Sequence, residues 1–411
     1  MLRVSVIIPA YNSAQYLAEA LRSILGQALR PEEIIVVDDG STDTTAQIAL
    51  DFGPPVRYER QPHSGVTAAR NRGLALATGD VVAWLDADDL WEADFLSTLV
   101  SLLAQDSTID GAYSGLALMN AAGTVLSTPP LRLVPPQGLF SALIEGDFVV
   151  TPAIVMRKKC FDEVGPFDPQ FRICEDYDMW LRLARRFTIV GAPRPLVRIR
   201  VHDESTTTRD SRAFCDARLA LTRKHFGAAE GDPAEWPEDK QRAHAYAFLA
   251  CAIRYIQDGR PDTAWGYFRQ AVQSWPQVVT RLDPVYELVC GDQSRAYRGR
   301  ADLLDIDGNG RKLLEQLEAL FLTSGPALGG LRSVAYGNAY LALAMLSDQA
   351  GAWGRARGYL FRAVRANPRL LSSWSVLRRL VKLCLGPRVA GFARARRRTQ
   401  AGNAWEDRDR R

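Results

Sequence analysis

Residues 33–43 read EIIVVDDGSTD, and the fold turns on how they are read. Glu33–Val37 is a short apolar run rich in β-branched side chains, the pattern of a buried strand. Asp38 and Asp39 end it, and Gly40 and Ser41 turn the chain into a helical stretch. The same strand pattern recurs on either side, in Val4–Pro9 (VSVIIP), Val56–Arg60 and Asp80–Leu85 (DVVAWL). Between these runs, Ser13–Gln27, Thr42–Asp51 and Gly65–Thr78 carry apolar residues at helical spacing, with Ser41 and Ser64 as candidate caps. Strands alternating with helices across short loops predict an α/β fold: an open, mostly parallel sheet with helices on both faces. Ligands in such sheets bind beyond the carboxyl ends of the strands, so those ends are where chemistry is expected.

Two clusters of acid stand there. Asp38 and Asp39 end one strand, and Asp86, Asp88 and Asp89 end another in WLDADDLW (84–91). An Asp-x-Asp at a strand terminus projects two carboxylates in nearly one direction, and their mutual repulsion is relieved by a cation. Hard divalent ions such as Mn²⁺ or Mg²⁺ accept such oxygens and complete their shell with substrate phosphates. A solvated acidic loop or a set of helix caps is the plainer reading of either cluster taken alone. PAYNSAQY follows the first strand without a Gly-x-Gly-x-x-Gly, and no Walker-type lysine loop occurs, which excludes those two phosphate-binding classes. Arg70, in AARNRG at a helix start, is a candidate counter-charge.

VSVIIPAYN, VVDDGSTD, GVTAARNRGLALATGD and WLDADDLW, in this order and spacing, resemble the family 2 glycosyltransferases. FVVTPAIVMRKKCFDEVGPFD, ICEDYDMWLRLA and LVRIRVHDEST extend the resemblance over about residues 1–210. It implies a GT-A (Rossmann-like) fold, a nucleotide-sugar donor with a nucleoside diphosphate leaving group, a divalent metal and inversion at the anomeric carbon. Pro9, Tyr11, Asp38 and Asp39 match the nucleoside pocket, Arg70 a position that approaches the nucleotide, and Asp86 and Asp88 the Asp-x-Asp. Asp88 is implied as the metal contact, together with His202. Glu175 and Asp176 match the acidic pair near the acceptor, with Asp176 resembling the general base, while Asp178 reads as a helix-start cap. The processive branch carries a Gln-x-x-Arg-Trp motif and membrane spans. This sequence has neither, so a non-processive enzyme adding one sugar per encounter is expected. The envelope polysaccharide pathway and a glycan or lipid-linked acceptor follow from family habit. A helical scaffold bearing a degenerate transferase domain, and a nucleotidyltransferase, are the competing readings. Trp84, Trp91 and Phe148 read first as core fillers and second as rings for stacking on sugars.

Residues 227–240 (GAAEGDPAEWPEDK) read as a linker between a transferase domain at 1–226 and an all-α, repeat-like domain at 241–375. Within the latter, Ala247, Ala250, Gly259, Ala264, Ala271 and Pro276 recur 92 residues later as Ala339, Ala342, Gly351, Ala356, Ala363 and Pro368. Small residues permit close helix crossings, and the spacing resembles tetratricopeptide-type hairpins. Asp305, Asp307, Asn309 and Gly310 begin like a calcium loop, but Gln316 stands where its closing carboxylate belongs, so a polar turn is expected.

Charge is distributed unevenly. The net +4 of the chain divides into −5 over residues 1–225, +1 over 226–375 and +8 over 376–411. Leu370, Leu371, Trp374, Leu377, Val381 and Leu385 can line one helical face, with Arg378, Arg379 and Lys382 on the other and Arg394, Arg396, Arg397 and Arg398 beyond. This basic amphipathic tail (376–411) suits either an anionic membrane surface, through 370–398, or a last helix docked on the repeat domain. Nucleic acid is not an expected partner, for want of any reader motif. Six scattered cysteines without a Cys-x-x-Cys, no secretory signal and no apolar run of spanning length lead to the expectation of a cytoplasmic protein, peripheral at most on the inner face of the plasma membrane.

Overall fold

The computed structural model describes residues 2–201, 210–291, 301–323 and 326–385. His202 and the basic end beyond 385 therefore lie outside the described residues. By contacts the chain divides into two units, 1–247 and 248–411.

The first unit opens as a strand–helix alternation: β1 (Val4–Ala10), α1 (Leu17–Leu25), β2 (Glu33–Asp38), α2 (Thr45–Asp51), β3 (Val56–Arg60), α3 (Val66–Leu76) and β4 (Val81–Trp84). β3, β2, β1 and β4 lie side by side and are parallel throughout. Every residue of β1 and β4 is buried because alternate side chains enter opposite layers. Val6, Ile8, Ile34 and Val36 pack with Leu17 and Leu21 of α1, while Ile7, Ile35, Val37 and Trp84 pack on the other face. Ser41 and Ser64 are not the helix caps: α2 and α3 start after Thr44 and Gly65, and both serine N–H groups serve the aspartates described below.

Beyond β4 the sheet becomes mixed. β5 (Leu90–Trp91), α4 (Phe95–Gln105), β6 (Gly111–Met119), β7 (Val125–Ser127), α5 (Leu139–Glu145), β8 (Ile154–Arg157), α6 (Lys159–Val164), α7 (Glu175–Ala184), β9 (Ile189–Arg200) and α8 (Ser211–Phe226) follow. The sheet reads β3-β2-β1-β4-β8-β6-β9-β5, with β7 paired to β6. β8 runs antiparallel between β4 and β6, and β9 runs parallel to β6. β6 and β7 form a hairpin whose turn is closed by Asn120 Oδ1 accepting from the Thr124 N–H. Trp84 is fully buried with its edge on Phe161 and Phe167, and Trp91 is buried against Phe95, so both fill the core.

The boundary between the units falls within α9 (Glu238–Gln257), and the expected linker holds a short 3₁₀ turn at Pro233–Glu235. α10 (Pro261–Ser274), α11 (Leu282–Val289), α12 (Ile306–Thr323), α13 (Pro326–Gly329), α14 (Arg332–Gln349), α15 (Trp353–Ala366) and α16 (Trp374–Leu385) complete an all-α second unit among the described residues. The sequence echo is a structural one. α9 and α14 each end at a left-handed glycine, Gly259 (φ 67°) and Gly351 (φ 74°), and α10 and α15 each run into a 3₁₀ turn that begins at Pro276 or Pro368. Phe248 and Tyr267 stack at 6.2 Å, and 92 residues later Tyr340 and Tyr359 stack at 6.4 Å. Asp305 accepts the Gly308 N–H at the start of α12, and Asp307 pairs with Arg355 and Tyr359, which makes this segment a capped helix start. α16 docks through Val376 and Leu383, with Arg379 and Lys382 both bound to Asp348, while Trp374 and Val381 face outward.

Close packing of α3 on β1 depends on Gly73, where a Cβ would meet Ile7 Cγ2 at 2.3 Å. Gly73→Val is expected to cost at least about 2 kcal/mol of stability, read as a lower urea midpoint at unchanged slope.

Candidate active site

Register places the first cluster. Ala10 pairs with Asp38 across β1 and β2, so Tyr11 and Asp39 leave the sheet at the same level. Asp38 is fully buried, its Oδ1 accepting the Ser41 N–H at 2.7 Å and its Oδ2 the Tyr58 hydroxyl at 2.6 Å. Burial alone would raise its pKa, but these hydrogen bonds and nearby Arg60 outweigh it and hold the group below the ordinary carboxylate value. Asp39 accepts from Gln61 Nε2 (2.6 Å), the Ser64 N–H (2.8 Å) and the Gly65 N–H (2.7 Å), and His63 Nδ1 lies 2.8 Å from its Oδ2. A carboxylate offers about four acceptor positions, so Asp39 is fully engaged in shaping loop 61–65. Pro9 lies within β1, whereas Tyr11 is about half exposed and stacks on the His63 ring at 4.2 Å.

α3 assembles the second cluster. Thr67, Arg70 and Asn71 lie on one face of this helix at i, i+3 and i+4 spacing. Thr67 Oγ1 donates to the Phe171 carbonyl at 2.9 Å, and Asn71 exchanges two 2.8 Å hydrogen bonds with the Phe167 backbone. This face thus holds the segment that leads into α7, which opens with Glu175 and Asp176. Arg70, buried between them, donates Nη1 to Glu175 and Nη2 to Asp86 Oδ1 at 2.9 Å. The residue expected to approach the nucleotide is therefore spent, in this structure, on joining the Asp-x-Asp to the acidic pair. Burial, and next the Asp176 charge, pushes Glu175 up to about 7 against the opposing pull of Arg70. Burial also raises Asp176, which accepts from the Tyr177 N–H at 2.8 Å and from Thr151 Oγ1 at 3.3 Å.

Arg200, at the end of β9, fixes the Asp-x-Asp loop. Its N–H donates to Asp89 Oδ1 (2.8 Å), its Nε to the Asp88 carbonyl (2.8 Å) and its Nη2 to Glu19 (2.8 Å), while its guanidinium lies over the Tyr16 ring. Burial, and then the charges of Asp88 and Asp86, pushes Asp89 well above the ordinary aspartate value. Asp86 and Asp88 remain half-buried at the sheet edge. Arg200 and His63 were not singled out by sequence reasoning. Arg200 lies within RIRVH (198–202), where its position just before the candidate His202 was the available signal.

Residues 5–164 match the family described as Glycosyl transferase family 2. The first part of the chain is thus similar to the family 2 glycosyltransferases. An uncharacterized glycosyltransferase of Rickettsia typhi is 32% identical over 218 residues, which is 50% of this chain and 65% of that protein. Another, from Rickettsia conorii, is 33% identical over 279 residues, 63% of this chain and 43% of that protein. The chain thus spans less than two thirds of these relatives' own length. Among solved structures, that of S. aureus TarS 1-349 in complex with UDP-GlcNAc is similar with a TM-score of 0.48 and 18% identity, over 67% of this chain and 92% of that one. The mixed sheet of the first unit, with helices packed on both faces, agrees with the α/β fold class expected from the motifs.

Beyond the matched residues, α7 is anchored by Asp178 rather than capped by it. Asp178 is fully buried and binds Arg182 Nε (2.9 Å), Lys224 Nζ (2.6 Å) and His225 Nε2 (2.8 Å), the last two from α8. The residue before Glu175, Cys174, takes the left-handed conformation (φ 66°), a strained turn for a non-glycine that this anchoring holds in place. Burial raises Asp178, but His225, Lys224 and Arg182 outweigh it and hold the group at about 2. A depressed carboxylate stabilises the fold above its unfolded pKa and loses that contribution as pH falls, here from 3.8 toward 2, about 2 kcal/mol in all. Asp178→Asn should lower stability at pH 7 by about 3 kcal/mol and flatten the acid limb between pH 4 and 2, as followed by denaturant titration across pH.

Proposed function

We propose that the chain is an inverting, metal-dependent, non-processive glycosyltransferase that moves one sugar from a nucleoside-diphosphate donor to a glycan or lipid-linked acceptor, in envelope polysaccharide synthesis. The observation that carries this reading is the junction at Arg70, which draws Asp86 of the donor-side loop and the Glu175–Asp176 pair into one cluster. Residues 1–226 serve as the transferase domain, with 227–240 leading to the helical domain at 241–375 and the tail at 376–411.

The acceptor hydroxyl is a weak nucleophile, and Asp176 takes its proton as it attacks the anomeric carbon, a contribution of about 10²–10⁴-fold. The raised pKa of Asp176 suits that role, since a more basic carboxylate removes a hydroxyl proton more readily. One in-line displacement inverts the anomeric carbon and releases the nucleoside diphosphate. Tyr11, exposed at the sheet edge and backed by His63, offers a flat face to the nucleobase, with Pro9, Asp38 and Asp39 framing the pocket.

Asp88, with Asp86, would hold Mn²⁺ or Mg²⁺. The fit is supported by their carboxylate oxygens, the hard donors such an ion accepts, which stay half-buried together at the sheet edge. Among the described residues no three acidic, His or Cys side chains gather to enclose an ion, so most of the shell falls to donor phosphate oxygens and water, as hard cations accept. When bound, such an ion supplies Lewis-acid neutralisation of the departing diphosphate. His202 is assigned to the metal beside Asp88 on the resemblance alone.

Among the described residues no helix is long and apolar enough to cross a membrane. We assign the protein to the cytoplasmic face of the plasma membrane, held by the outward Trp374 and Val381 of α16 and by the arginines that follow. Removal of residues 386–411 should release the protein from phosphatidylglycerol vesicles in flotation while transfer to a soluble acceptor continues.

With a panel of nucleotide sugars and Mn²⁺, Asp176→Asn should bind donor as the parent does and lose transfer by about 10²-fold or more. Asp88→Ala should lose the metal dependence of donor binding in thermal-shift titrations. Metal dependence retained in Asp88→Ala would overturn the metal assignment, and release of pyrophosphate in place of nucleoside diphosphate would overturn the reaction class.

A further inference from the structure

An open cleft of about 600 Å³ lies within the second unit, lined by Glu318 of α12, Arg332, Tyr336 and Tyr340 of α14, and Arg362 and Arg365 of α15. Its volume is in the range of small-ligand sites. The aromatic rings are held in place by their neighbours. Tyr336 stacks on Phe321 at 5.9 Å and donates its hydroxyl to Glu318, whose two carboxylate oxygens also accept from Arg332 Nη2 at 2.9 and 2.8 Å. Tyr340 stacks on Tyr359, whose hydroxyl donates to Asp307 at 2.6 Å.

Arg362 and Arg365 differ from Arg332. Both are exposed, and neither has a carboxylate partner among the described residues. At i and i+3 on α15 they project to one side, where like charges repel and cost the helix stability. The first copy of the repeat provides an internal comparison. Phe248 and Tyr267 occupy the positions of Tyr340 and Tyr359, and stack in the same way, but Gln270 and Gln273 stand where Arg362 and Arg365 do. The stacked rings therefore belong to the hairpin itself, whereas the two arginines are particular to the second copy, Arg362 lying over the Tyr359 ring at 5.8 Å with its charge unpaired by any carboxylate among the described residues.

We propose that this cleft binds an anionic saccharide, with a sugar ring laid on the aromatic faces of Tyr336 and Tyr340 and its carboxylate or phosphate groups held by Arg362 and Arg365. Arginine forks suit such planar or tetrahedral oxyanions, and the apolar face of a pyranose suits a tyrosine ring. The choice of a saccharide over other anions rests on the transferase reading, which supplies a glycan as acceptor or product.

Calorimetric titration of the full chain with hexagalacturonate, neutral maltohexaose and hexaglutamate tests this. Hexagalacturonate is expected to bind, maltohexaose to bind at least tenfold more weakly, and the double variant Arg362→Gln/Arg365→Gln to lose roughly tenfold for hexagalacturonate. That variant carries the first copy's own residues and so keeps the fold. Tyr340→Ala should weaken both saccharides. Absence of hexagalacturonate binding, equal binding by the double variant, or hexaglutamate binding as tight as hexagalacturonate would each overturn the proposal, the last assigning the cleft to an acidic protein segment. Nucleotide-sugar binding, measured on the same preparations, reports on the transferase reading separately, because none of these residues belongs to its site.

Discussion

The Arg70 guanidinium, buried between Asp86 and Glu175, is the contact on which the arrangement of the site depends. Removing a guanidinium from water costs several kcal/mol, and here two carboxylates from separate parts of the chain offset that cost. The same exchange works in reverse: Glu175, buried beside Asp176, would be still harder to ionise without Arg70. Thr67 and Asn71 add a mechanical link, tying the 167–171 backbone to the face of α3 from which Arg70 projects. α3 in turn is seated on β1 through Gly73, where the absence of a side chain brings helix and sheet together. The position of the acidic pair therefore traces back to how closely a helix packs on a strand.

A second buried arginine performs the matching task on the opposite side of the loop. Arg200 holds the backbone at Asp88 and the side chain of Asp89, and reaches Glu19 on α1. Between them, Arg70 and Arg200 spend their charge on structure and leave Asp86 and Asp88 half-buried at the sheet edge. The helical unit shows a comparable division of labour. Its repeated aromatic pair and small residues build the hairpin, and what varies between the copies, glutamine against arginine on the outer face of the second helix, is free to differ in function.

Much of this was legible beforehand. The strand–helix alternation through residue 85, the acid at strand ends, the all-α second half and the 92-residue echo are local patterns, set by periodicity and by residue type, and local patterns survive in a linear reading. The mixed half of the sheet was less legible, because β8, β6 and β9 pair residues far apart and their direction is not encoded in their composition. The β6–β7 hairpin went unread although Asn120 and Gly123 mark its turn. α16 docks through Val376 and Leu383 rather than through the face that carries Trp374 and Val381, because two apolar stripes of similar residue types run along it.

The sequence alone determined which residue types stand at the carboxyl ends of the strands, and so the class of chemistry. Only the tertiary structure decided what each of them does there. Asp178 became an anchor for α7 because His225 and Lys224 of α8 fold onto it, and Asp39 became the organiser of loop 61–65 because four donors converge on its carboxylate. Arg70 turned toward carboxylates because burial leaves a guanidinium little choice but to find opposite charge nearby. The physical reason is common to all three. A charged side chain's role follows from the partners that burial brings within hydrogen-bond reach, and those partners come from elements that are distant in the chain.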